Sequence, residues 1–250
     1  MNISDLLNAS NNASLGGSRT SSAATSGVNA ASQALQKAEK RLQTQLDATT
    51  AQLSSFGKLK SALSDAQLAA RGLSGLTASA TSAGTASAVA KFVTAYNSAV
   101  STATSTAALA GTTSESVSAN RAGNDMRRSL TASTATLDAL KKMGFSMASN
   151  GTLSLDAKKF DAAQKADPAG MRASLVKIGQ WVDQTATREL AAHGNVDGSV
   201  TSLNTRVANL KSQQTALENT RQAIAPNQNP IALSTTGYGI GAYQSASNSF

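Results

Sequence analysis

No cysteine occurs in the 250 residues, which excludes disulfides and thiol chemistry. A single histidine, His193, leaves no second imidazole or thiol to share a metal. Aromatics are only 4% of the chain, with one tryptophan at Trp181. Small side chains bury little area each, so a thick globular core is not expected; extended helices with narrow seams suit the composition better. No run of about 18 apolar residues occurs, hence no membrane-spanning helix is expected. A basic stretch followed by an apolar block is also missing at the N-terminus, so no ordinary secretory signal is expected. Neither a nucleophile elbow nor a Walker-type glycine loop is found. Gly237-Tyr238-Gly239-Ile240-Gly241 superficially resembles a dinucleotide loop, but it follows no strand and opens no helix. Asn195, Asp197 and Gly198 lack the rest of a calcium loop and its distal glutamate. The expectation is therefore no catalytic residue, no cofactor and no metal: not an enzyme.

Acidic side chains are scarce, 14 against 22 basic, for a net charge of +8. Such a balance can serve nucleic acid or an anionic membrane surface. Here the basic residues are dispersed as singles and pairs along helical stretches, without interleaved aromatics to stack on bases. They read as solvated helix faces, with neither nucleic acid nor membrane as partner. A basic amphipathic-helix protein coating a membrane, granule or nucleic acid remains the alternative, with salt-sensitive binding as its mark.

What is abundant is helical periodicity. Between residues 34 and 73, apolar or small residues recur at Leu35, Ala38, Leu42, Leu46, Thr49, Leu53, Phe56, Leu63 and Ala70. Their spacing is that of a heptad pattern with one stutter. Lys37, Glu39, Lys40, Arg41, Asp47 and Lys58 fall mostly off the seam. A helix over this stretch would be about 60 Å long at about 1.5 Å per residue, and water alone would not hold it. Its partner is the stretch 199–225, where Val200, Leu203, Val207, Leu210, Gln214, Leu217, Arg221 and Ile224 follow three-four spacing. Polar Gln214 and Arg221 on that seam can set register or partner number. The assembly interface expected from these two segments is Leu35, Leu42, Leu46, Leu53, Phe56 and Leu63 with Val200, Leu203, Val207, Leu210, Leu217 and Ile224.

Residues 1–32, rich in Ser, Asn, Ala, Thr and Gly, are expected to be disordered. The first helix takes 33–75, a small-residue linker 76–88, and a helical module 89–198. Within that module, 101–120 reads as loop or frayed helix and 122–142 as one helix carrying Met126, Leu130, Leu137 and Leu140. Residues 143–155 switch to period two around Asn150-Gly151, predicting a β-hairpin in which both turn residues tolerate positive φ. Asp156 and Asp167-Pro168 each read as a helix start. Met171, Leu175, Ile178, Val182 and Leu190 form the apolar face of the second of these helices, and residues 193–199 break it. The tail 226–250 is expected to be flexible. The fold class is mainly α: long antiparallel helices or a coiled coil formed by the N- and C-terminal segments, with a small α+β module containing one hairpin.

A series of segments resembles one family. QLSSFGKLKSALSDAQLAARGL within Gln45–Leu73, KFVTAYNSAVS at Lys91–Ser101, GNDMRRSL at Gly123–Leu130 and LKKMGFSMASNGTLSLDAKKFDAAQKADPAGM at Leu140–Met171 are similar, in order, to the bacterial flagellar filament cap protein family, hook-associated protein 2. The last heptad helix resembles the closing coiled-coil segment of that family. Family members usually insert one or two β-rich domains where residues 77–87 stand here, which implies a reduced member. The resemblance implies a structural protein, exported unfolded through the flagellar type III channel to the extracellular filament tip. Its implied partners are other copies in a ring, commonly a pentamer, flagellin, the hook-associated junction proteins and an export chaperone. The implied activity is promotion of flagellin polymerisation; another axial or junction component is the alternative within the flagellum.

Overall fold

The first long helix, α1, runs Ser21–Ser74 in the structure, a computed structural model that describes residues 21–224. Its start lies inside the segment expected to be disordered. Once the downstream turns exist, extending a helix costs no new nucleation, and Ala23, Ala24, Ala30 and Ala31 are the strongest helix formers. The expectations for residues 1–20 and for the tail 226–250 lie outside the described residues. The remaining elements are α2 (Ser82–Ala110), α3 (Ser114–Thr131), α4 (Thr134–Lys142), β1 (Phe145–Met147), β2 (Leu153–Leu155), α5 (Ala157–Ala166), α6 (Pro168–Leu190) and α7 (Asn195–Ile224). Mainly helical with one hairpin is thus the fold observed. The chain divides into two compact units, residues 48–207 in one, and residues 1–47 with 208–250 in the other.

Within the unit 48–207, the later part of α1 carries a full three-four repeat. Phe56, Leu59, Leu63, Ala66, Ala70 and Leu73 are all buried against the core. Contacts with α7 and α6 follow in reverse order along the chain. Lys60 meets Asp197 at 2.7 Å, Gln67 donates to Thr187 at 2.7 Å, and Arg71 meets Asp183 at 2.9 Å, so the packing is antiparallel. Gly179 lets α6 lie directly on α1: a Cβ there would stand 2.5 Å from the Ala70 carbonyl oxygen.

The segment expected to be loop or frayed helix, 101–120, is well-formed helix for most of its length. α2 continues to Ala110, and Thr113 starts α3 by accepting from the Ser116 amide. The reason is close packing of small residues. Ala103, Thr106, Ala107 and Ala110 on α2 and Ala119, Ala122 and Gly123 on α3 are buried. A Cβ on Gly123 would lie 3.1 Å from that of Ala103, and the Ser116 hydroxyl donates to the Ala107 carbonyl at 3.0 Å. The small-residue linker is shorter than expected too, because Thr81 caps α2 by accepting from the Gly84 amide at 3.0 Å. The single helix expected over 122–142 is two, divided between Thr131 and Thr134.

The hairpin pairs Phe145 with Leu155 and Met147 with Leu153 in antiparallel register. Its turn differs in detail from the expectation: Gly151 alone takes positive φ, at 85°. Asn150 instead uses its side chain, whose Oδ1 accepts from the Thr152 amide at 3.0 Å. Asn97 on α2 secures the hairpin, its side chain donating to the Leu153 carbonyl at 2.8 Å and accepting from the Leu153 amide at 2.7 Å. Asp156 caps α5 and Asp167 caps α6 with Pro168 in the first turn, as the sequence predicts. Met171, Leu175, Ile178 and Val182 are buried; Trp181 is 38% exposed.

In the unit formed by 1–47 and 208–250, α1 and α7 supply the helical segments that are described. Leu42 and Leu210 are its only buried apolar side chains among the described residues. Gln214 donates to the Gln43 side chain at 3.0 Å.

Candidate assembly interface

The structure splits the expected seam residues into two groups. Phe56, Leu63 and Leu203 are fully enclosed within one copy of the chain, and Leu53 and Val200 pack partly buried against the same core. Val207 is half-buried. These side chains already have their partners in the unit 48–207. In the other unit, Leu42 and Leu210 are buried and Leu35, Leu46 and Leu217 half-buried; the Ile224 side chain lies outside the described ones. The expected interface omits Leu59 and Leu73, both fully buried. Leu59 stands three residues after Phe56 and four before Leu63, and Leu73 three after Ala70, so their spacing was the signal.

The polar residues of the second group matter as much. Glu39, read from the sequence as off the seam, is half-buried, whereas Lys37, Lys40, Arg41 and Asp47 are exposed. Gln43 and Gln214 form an amide pair, and Glu218 meets Arg221 at 3.5 Å. Only the first of these joins the two helices, and a polar pair across a seam weakens it and restricts which register satisfies it.

Elsewhere the structure gathers two further polar clusters. At the joint between α6 and α7, Asn195 donates to both oxygens of the Glu189 carboxylate, at 3.2 and 2.9 Å. Glu189 is only 4% exposed; burial, and then the neighbouring Asp125, push its carboxyl above the usual range against the pull of Asn195 and Arg188. Gly194 closes this joint, where a Cβ would stand 2.4 Å from the Arg188 carbonyl oxygen. His193, in the same turn, has φ 68° and is exposed. A small cavity nearby is lined by Ser114, Glu115, His193 and Asn195. Burial raises the Glu115 carboxyl, but its own backbone amide, the Thr113 and Ser114 side chains and Arg206 together hold it below the usual range. Among the described residues, no group of three His, Cys, Asp or Glu is placed to hold a metal ion. No described helix is long and apolar enough to cross a membrane.

These features define a mainly α-helical protein whose long end segments carry a narrow seam with a polar pair set into it. Its family follows from comparison: flagellar hook-associated protein 2 C-terminus matches residues 67–225, more than half of the chain, and the chain belongs to that family. The family is structural and flagellar, associated with the extracellular filament, and forms cap oligomers that contact flagellin. No curated protein and no solved structure matches the chain.

Proposed function

We propose that this chain is a minimal filament cap, which assembles with copies of itself at the distal end of the flagellum and promotes flagellin polymerisation without chemical catalysis. The observation that carries the reading, beside the family itself, is how little the unit of 1–47 and 208–250 buries. Leu42 and Leu210 are its only buried apolar side chains among the described residues. Each contributes about 1.5–3 kcal/mol, whereas ordering the backbone costs about 1–2 kcal/mol per residue. Two leucines and a few half-buried neighbours do not offset dozens of ordered residues, so the segment calls for further helices from other copies. A ring of five copies would supply them. The absence of cysteine and the scarcity of bulky aromatics suit unfolded passage through the flagellar type III channel, with an export chaperone before it and flagellin and the junction proteins after it.

Only residues 75–81 separate α1 from α2, which supports a reduced member without inserted β-rich domains. The same brevity favours, as second reading, an axial or junction component. Deleting the gene distinguishes them. The cap reading expects monomeric flagellin in the medium and shortened filaments; filaments of normal length with no released flagellin would reject it.

A further inference from the structure

The unit of 1–47 and 208–250 contains an open groove of about 740 Å³, lined on α1 by Gln36, Glu39 and Gln43 and on α7 by Gln214 and Glu218. Its walls carry amides and carboxylates. The Glu39 Oε1 atom is shielded from solvent and has no hydrogen-bond partner. Removing a carboxylate oxygen from water without a donor is costly, and such atoms in native proteins ordinarily have one. Glu218, on the opposite wall, is engaged by Arg221. Lys40 also lines the groove, but it is exposed and does not satisfy the Glu39 oxygen.

We propose that this groove receives a lysine or arginine side chain from a second copy of the chain, whose ammonium or guanidinium pairs with Glu39. The inference rests on the homo-oligomer reading above and names the contact that would set its register. A cation is the occupant that the chemistry asks for, because a donor of opposite charge neutralises the carboxylate and, as the Glu39 side chain turns towards the groove, gives its unpartnered oxygen a hydrogen bond. A second copy is a suitable source: the chain has 22 basic against 14 acidic residues, and Lys37, Arg41 and Lys211 stand exposed on the same two helices. Like a polar layer in a coiled coil, such a pair would admit one register of neighbouring subunits and penalise the others.

Sedimentation of the full chain and of Glu39→Gln, at about 0.05 M and about 0.5 M salt, tests the proposal, with helical content and thermal melting followed in parallel. The amide keeps the shape and removes the charge. Wild type is expected to associate, and Glu39→Gln to associate roughly tenfold or more weakly at low salt with helical content unchanged. That deficit should shrink at high salt as screening weakens the pair. The opposite pattern overturns it: association equal to wild type with a higher melting temperature means that the groove holds an unpaired carboxylate whose removal simply relieves the fold. A wild-type chain that stays monomeric throughout overturns the oligomer reading itself, and this proposal with it.

Discussion

Gly57 lies exposed inside α1, with nothing within 4 Å of where a Cβ would stand. Glycine there keeps the unfolded chain loose and fills no gap, so Gly57→Ala should raise stability by about 1 kcal/mol, read as a higher midpoint in urea. Gly179 is the contrasting case, because α1 backbone occupies the space its Cβ would need. Glu189 makes the pH-dependent prediction. Its folded-state carboxyl titrates above the ordinary value through burial first and Asp125 second. A raised acid binds its proton more tightly in the folded state than in the unfolded one. Its favourable contribution is therefore complete below the unfolded value and is lost as pH rises through the folded one. Glu189→Gln, which cannot ionise but can still accept from Asn195, should gain on wild type as pH is raised from about 4 to about 8. Thermal melts of both across that range check the sign; a constant or narrowing difference would contradict it.

At the scale of elements, the hairpin shows how a marginal unit is held. Two three-residue strands are not stable alone. Phe145 and Leu153 turn one face into the core, Phe145 meets Phe160 edge to face at 6.4 Å, and Asn97 stands in for a third strand by bonding both backbone groups of Leu153. Asn97→Ala removes both bonds and should cost about 1–3 kcal/mol. Faster hydrogen exchange at the Leu153 amide, with little change in α2, would report the loss where it occurs. The pairing of α2 with α3 obeys a different rule, closeness rather than bulk. Ala103, Ala107, Ala119 and Gly123 bring the two backbones together, so that packing contacts add up despite the small side chains.

At the scale of the whole molecule, the two compact units are stabilised differently. The unit 48–207 encloses a contiguous core that includes Phe56, Phe92, Tyr96, Met126, Leu175 and Leu203. Among the described residues, the unit of 1–47 and 208–250 has two buried leucines, an amide pair and a polar groove. In the cap proposed above, the self-sufficient core of the unit 48–207 would hold the shape of each subunit, and the sparse seam of the other unit would take its partners from other copies; the deletion phenotype and the Glu39→Gln experiment bear on one another there.

Periodicity and capping chemistry were enough, from the chain alone, to establish a mainly helical protein, its hairpin at 143–155 and the starts of α5 and α6. Those features are local: an aspartate before a helix, or a glycine in a turn, acts on backbone atoms a few residues away. Residues 101–120 read as loop or frayed helix because alanine, serine and threonine give little hydrophobic contrast, and the close packing of α2 on α3 is what makes most of them firm helix. The tertiary structure alone decided which seam residues are spent within one copy, since Phe56 and Leu203 are as apolar in the sequence as Leu42 and Leu210. It alone withdrew the Glu39 oxygen from solvent. Burial depends on what lies across the interface, and the far side of a seam is contributed by residues more than a hundred positions away.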